Sequence, residues 1–174
     1  MGKIRLTDIL ILAVIAVVAI IITLYVLSPS SFAGSAEAEK LAPNFKLETP
    51  EGEVIELAKF KGKVIVLDFF ATWCGPCIAE IKYLKEVYKE FKDSIVIISV
   101  NIGEDPNKVL NFIKAHGIEW IVVLDRNASV ASKYKVTAIP TIVIIDKEGK
   151  IRYTHIGLIK ADQLKEAIKK IMSD

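Results

Sequence analysis

Trp73-Cys74-Gly75-Pro76-Cys77 follows directly on the apolar run Val64 to Phe70 and precedes a long helical pattern, and the 174-residue chain has no other cysteine. This order requires a strand that feeds a helix through a pair of thiols. Cysteines two residues apart at a helix start lie one turn apart on the same face, so they can close a disulfide and reopen it. The helix N-terminus adds unpaired N–H groups and a partial positive charge, which favour a thiolate over a thiol. Cys74 is therefore the expected nucleophile. A free cysteine titrates near ~8.5, and such a setting lowers that value and raises the fraction able to exchange.

Around this junction the pattern alternates between strand and helix. Val64 to Phe70, Ile95 to Val100 and Thr141 to Ile145 are near-continuous apolar runs of the kind covered on both faces, which predicts central strands. Helical patterns occupy Pro76 to Phe91, Asp105 to His116, Ala128 to Tyr134 and Ala161 to Ile171, with Asp105 as N-cap and Pro106 in the first turn. Ile121 to Leu124 reads as a short strand and Lys150 to His155 as an edge strand after the Asp146-Lys147-Glu148-Gly149 turn. Ala42 to Leu47 and Glu53 to Leu57 flank the turn-prone Pro50-Glu51-Gly52 and predict a hairpin. The class is α/β with a mixed sheet.

The chain is 52% hydrophobic with a mean hydropathy of +0.42, and most of the excess lies at the front. Ile9 to Leu27 is a stretch of nineteen residues in which only Thr23 is neither aliphatic nor aromatic. At ~1.5 Å per residue it nearly spans a ~30 Å hydrocarbon core, and Tyr25 suits an interface. Ala36-Glu37-Ala38 resembles a signal-peptide cleavage site, but the apolar segment exceeds the ~7–15 residues usual for one, which favours an uncleaved anchor. Lys3 and Arg5 precede the segment and only Glu37 follows closely, so the positive-inside rule keeps the N-terminus in the cytoplasm and the rest outside. The predicted organisation is a cytoplasmic start at 1–8, an anchor at 9–27, a linker at 28–40 and a folded domain at 41–174. Without Lys3, Arg5 and Asp8 the chain has 21 basic and 20 acidic residues, too balanced for a nucleic-acid surface.

Two other uses of the cysteines fit less well. A stabilising disulfide gains most from a long loop, and this one closes a very short loop. A structural zinc site needs four ligands, and only His116 and His155 remain as good ones. His116 sits at a helix end and His155 in an edge strand. Asp68 is the only charge inside Val64 to Phe70, a costly place for a carboxylate unless it is protonated or partnered. It could also reach solvent at a strand end. Glu80 falls between Leu84 and Val87 on the helical wheel, inside the apolar stripe where a solvated glutamate does not belong, unless it bends out to water from the stripe's edge.

From Ala42 to Ile171 the chain resembles the thioredoxin fold, and within it the membrane-anchored thiol-disulfide oxidoreductases of the ResA/TlpA/DsbE type. The motifs that carry the resemblance are Ala42-Pro43-Asn44-Phe45, Phe69 to Cys77 and Ile139-Pro140-Thr141. Val100-Asn101-Ile102-Gly103-Glu104 with the following helix looks like that branch's inserted segment. The resemblance implies a cis Ile139–Pro140 bond beside the cysteines, with the Ile139 backbone, Trp73, Gly75 and Pro76 forming the substrate surface. Trp73 could equally be a core aromatic. It implies that Asp68 exchanges protons with Cys77, although many tethered relatives carry asparagine there, and that Glu80 influences the proton balance of the thiols.

The implied activity is thiol–disulfide exchange with no cofactor or metal beyond the cysteine pair, by a monomer. Its partners would be secreted or membrane protein disulfides, apocytochrome c among them, and its electron donor a transmembrane thiol carrier. Gly75-Pro76 matches reducing members. An oxidant or isomerase is the alternative direction. A copper-delivery module of the Sco type is a different class, but it needs three residues between its cysteines and a histidine ligand nearby.

Overall fold

The computed structural model describes residues 6–26 and 40–173, with side chains described for 13–23 and 40–173. The chain divides into two compact units, Met1–Ala38 and Glu39–Asp174. In the first, α1 (Leu6–Val26) is a helix of 21 residues whose side chains at 13–23 are all exposed. The Thr23 hydroxyl bonds back to the carbonyls of Ala19 and Ile20, both at 2.9 Å. Among the residues described in full, no helix is long and apolar enough to cross a membrane. Lys3, Arg5, the candidate cleavage site at Ala36-Glu37-Ala38 and nearly all of the predicted linker lie outside the described residues.

The second unit is built on one seven-stranded mixed sheet in the order β2-β1-β5-β4-β3-β6-β7. The strands are β1 (Lys46–Glu48), β2 (Val54–Glu56), β3 (Val64–Phe70), β4 (Ile95–Ile102), β5 (Ile121–Asp125), β6 (Thr141–Ile145) and β7 (Ile151–Ile156). β3, β4 and β5 run parallel, while β6 pairs antiparallel with β3, β7 with β6, and β1 with both β2 and β5. The helices are α2 (Gly75–Phe91), α3 (Pro106–His116), α4 (Ser129–Lys133) and α5 (Ala161–Ser173).

Strand alternation divides the core in two. Val64, Val66 and Phe70 of β3 pack with Ile95 and Ile97 of β4 against Leu84, Val87, Val109, Leu164 and Ile168 of the long helices. Ile65, Leu67 and Phe69 turn to the opposite face and pack with Ile98 and Val100 against Phe45, Ile55, Leu57, Val130 and Tyr134. By the same period, Asp68 on β3 and Ser99 and Asn101 on β4 face the side covered by the long helices, where both cysteines lie. Asp68 and Ser99 are direct partners in the parallel register. Every residue of β3 is buried, as a strand covered on both faces requires.

Several elements differ in length from expectation. The hairpin strands have three residues each, because Leu57–Phe60 coils into a 3-10 turn and the Asn44 side chain accepts from the Ala58 N–H at 3.1 Å instead of extending the ladder. α4 begins at Ser129, since Ala128 is left-handed at φ 56° and the buried Asp125 carboxylate accepts from the Ala131 N–H at 2.8 Å. β4 extends two residues past Val100 to Ile102. The Asp105 cap is as expected, its Oδ1 accepting from the Asn107 N–H at 2.9 Å.

Leu84 is almost wholly buried between α2 and the sheet. Leu84→Ala should therefore destabilise the protein by about 2–5 kcal/mol in denaturant unfolding, and a loss under about 1 kcal/mol would contradict this packing.

Candidate active site

The site forms where β3 ends and α2 begins. Cys74 has an extended backbone and is the N-cap of α2, with Pro76 in the first turn, where its missing N–H leaves no gap. Cys74 and Cys77 form a disulfide of 2.05 Å with their Cα atoms 5.2 Å apart. The Cys77 N–H donates to the Cys74 sulfur at 3.2 Å, so one of the helix's otherwise unpaired donors already points at that atom. Both cysteines are nearly buried, whereas Gly75 and Pro76 are exposed in front of them. A Cβ on Gly75 would meet nothing within 4 Å, so packing does not demand glycine there.

Trp73 is 70% exposed and is thus no core aromatic. With Ala71, Ile102, Val136 and Ile139 it lines an open groove of about 430 Å³. Ile139–Pro140 is a cis peptide bond, as expected. The Pro140 carbonyl accepts from the Gly157 N–H at 2.8 Å, which ties the loop after β7 to the start of β6.

Two buried carboxyls lie on the cysteine side of the sheet. Asp68 is 5% exposed; its Oδ2 accepts from the Ser99 hydroxyl at 2.8 Å, and its Oδ1 has no partner among the described residues. Burial pushes its pKa up to about 6, partly offset by the Ser99 bond. Glu80 is 1% exposed and lies in the buried stripe of α2, so it does not bend out to water. Its Oε1 accepts from the Ile159 N–H at 2.7 Å, and its Oε2 has no partner among the described residues. Burial, then repulsion from Asp68, raises it to about 8 against the Ile159 bond. Both carboxyls are thus held above the ordinary carboxylate range by burial, and Glu80 further by the charge of Asp68.

Sequence reasoning missed Glu104 as a site residue. Its carboxylate accepts from the Thr72 N–H and hydroxyl, both at 2.6 Å, and from the Asn101 amide at 2.7 Å, and it pairs with Lys108 at 2.7 Å. Burial opposes its ionisation, but the bonds from Lys108, Thr72 and Asn101 outweigh it and hold the carboxyl down at about 2. Glu104 thereby fastens the loop just ahead of Cys74 to the inserted segment. The two histidines are occupied elsewhere: His116 packs on Phe112 with ring centroids 4.1 Å apart, and His155 stacks on Tyr153. Among the described residues no group of three acidic, histidine or cysteine side chains could hold a metal ion.

Comparison with known proteins agrees with this geometry. The Redoxin family model matches residues 37–169. Thiol-disulfide oxidoreductase ResA of Bacillus subtilis (strain 168) is 44% identical over 111 residues, a match covering 63% of this chain and 62% of that protein. The chain thus spans just under two thirds of that relative. ResA of Bacillus thuringiensis subsp. konkukian (strain 97-27) is 38% identical over 136 residues, which is 78% of this chain and 79% of that protein. The crystal structure of StoA from Bacillus subtilis matches with a TM-score of 0.64 at 32% identity, covering 74% of this chain and 98% of that one.

Two outcomes follow for stability. An unfolded glutamate ionises near 4.5, whereas folded Glu80 stays protonated up to about 8, so ionisation erodes the folded state as pH rises through that window. Glu80→Gln keeps an oxygen for the Ile159 N–H and cannot ionise. It should exceed the parent in stability by a margin that widens from pH 4.5 to about 8 and then levels; a margin independent of pH would contradict the burial of this acid. Glu104→Ala should cost about 1–3 kcal/mol in the same unfolding measurement, because it strands donors of Thr72 and Asn101, and a neutral result would exclude the clamp.

Proposed function

This chain belongs to the Redoxin family as a thiol-disulfide oxidoreductase of the ResA type, and we propose that it is a membrane-tethered reductase of disulfides in proteins outside the cytoplasm. The observation that carries the reading is a closed Cys74–Cys77 pair at a helix N-terminus with two buried carboxyls on the same side of the sheet. Support for the tether comes from the nineteen-residue apolar run and from α1, whose described side chains are apolar except Thr23 and leave no hydrophobic face covered. The Thr23 hydroxyl is satisfied by its own helix, which lowers the cost of placing it in lipid. Lys3 and Arg5 orient the N-terminus to the cytoplasm.

In the reducing direction the Cys74 thiolate attacks one sulfur of a substrate disulfide. A Cys74–substrate bond forms, and the other substrate sulfur leaves as a thiolate that takes up a proton. Asp68, mostly ionised near neutral pH, accepts the proton of Cys77. The Cys77 sulfur then attacks Cys74 and expels the second substrate sulfur as a thiolate, which takes up the proton held by Asp68, restoring the disulfide present in this structure. Two electrons and two protons from a transmembrane thiol carrier reset the pair. Trp73, the groove and the cis Ile139–Pro140 edge receive the substrate as an extended chain, and the protein acts as a monomer. The cysteines of apocytochrome c before haem attachment are the substrate class that the family resemblance implies, within a wider set of secreted proteins.

In cells expressing Cys77→Ser, the second step is blocked and substrates should remain covalently attached to Cys74. Recovery of secreted or membrane-facing thiol proteins, apocytochrome c among them, is the expected result; recovery of cytosolic proteins alone would overturn the reading. Asp68→Asn should slow substrate release by Cys77 about 10- to 100-fold at neutral pH in stopped-flow assays, and unchanged release would remove Asp68 from the mechanism.

A further inference from the structure

Asp68 does not stand alone in its buried layer. Ser99 is its partner in the parallel register of β3 and β4, and its hydroxyl lies 2.8 Å from Asp68 Oδ2. The indole Nε1 of Trp120, just before β5, lies 2.8 Å from the same hydroxyl oxygen. All three side chains are buried.

Donor chemistry gives this chain of bonds one direction. An indole N–H can only donate, so the Ser99 oxygen must accept from Trp120. The single proton of Ser99 then goes to Asp68 Oδ2, the only acceptor found for it. Were Asp68 protonated on Oδ2, that proton would point at Ser99, and the Ser99 proton would be left in a buried place without an acceptor among the described residues, which is unfavourable. The exchangeable proton therefore belongs on Oδ1, the oxygen without a partner.

We propose that Ser99 and Trp120 are positioning residues for the general acid–base: the chain Trp120 N–H to Ser99 O–H to Asp68 Oδ2 occupies one carboxyl oxygen and leaves Oδ1 to take and return the thiol proton. The proposal rests on the role given to Asp68 above. By holding the ionised form, the chain also keeps Asp68 a usable base at neutral pH despite its burial. The groups placed against Asp68 are Ser99 from β4, which bonds to it, Glu80 from α2, whose ionisation it opposes, and apolar Ile142, its partner in register on β6. Glu80 is the only other titratable acid among them.

The test follows the ionisation of Asp68 in the full-length oxidised protein by its carboxyl infrared band, with Asp68→Asn as the blank. Glu80→Gln serves as the common background, so that Asp68 titrates without its acidic neighbour. Ser99→Ala should move the midpoint upward by about one pH unit, a tenfold change in the equilibrium, and Ser99→Thr, which keeps the hydroxyl, should restore it. Trp120→Phe should move it the same way by less, because Ser99 loses the donor that polarises it. A midpoint unmoved in Ser99→Ala overturns the proposal. Should that variant not fold, Trp120→Phe decides alone: an upward shift supports the chain, and no shift overturns it. Release by Cys77 should show the same displacement of its pH profile. Unchanged release in Asp68→Asn would defeat the catalytic role of Asp68, while the infrared midpoint would still decide whether the hydrogen-bonded chain sets its acidity.

Discussion

The N-terminus of α2 exposes backbone N–H groups that have no partner within the helix, and the sulfur of Cys74 takes one of them, from Cys77 at 3.2 Å. The rest of the site is arranged around that bond. β3 supplies the straight, fully buried approach that delivers Cys74 to the helix start, and Glu104 secures the loop between them by accepting two bonds from Thr72. A bridge between residues three apart restrains the unfolded chain little. Its chemistry can therefore turn over without the fold being at stake.

On the cysteine side of the sheet the protein buries two carboxyls, each with one bonded and one unbonded oxygen among the described residues. Such burial is unfavourable for stability and is kept where it sets proton affinity. Glu80 is held by the Ile159 N–H in the loop after β7, and Gly157 of that loop donates to the Pro140 carbonyl. The same few residues thus link the deeper acid to the cis-proline edge, so a substrate seated on that edge would rest on the element that holds the acid in place.

Local signals made most of the fold legible. The apolar runs announced β3, β4 and β6, and the helical periodicity placed Glu80 inside the stripe, whereas the cis Ile139–Pro140 bond was implied by the family resemblance alone. A single charge in an apolar run pointed to Asp68. The same reasoning, applied to Ser99 in Ile95 to Val100, would have found its partner, since Ser99 is the only polar residue there. Glu104 and Trp120 carried no comparable signal: the bonds that tie them to the site, from Thr72 to Glu104 and from Trp120 to Ser99, span 32 and 21 positions. The short hairpin strands and the late start of α4 turned on side chains bonding backbone, Asn44 to Ala58 and Asp125 to Ala131, which periodicity does not register.

The central claim is that Cys74–Cys77 is a working couple carried by a fold that does not need it closed. The direct measurement is redox equilibration of the intact protein against graded thiol–disulfide buffers, reading the fraction of bridged cysteines together with near-ultraviolet circular dichroism. The account predicts a single two-electron transition, superimposable on oxidation and reduction, with the native aromatic signal retained in both forms. A bridge that resists reductant until the protein unfolds, or whose opening abolishes the native signal, would contradict it.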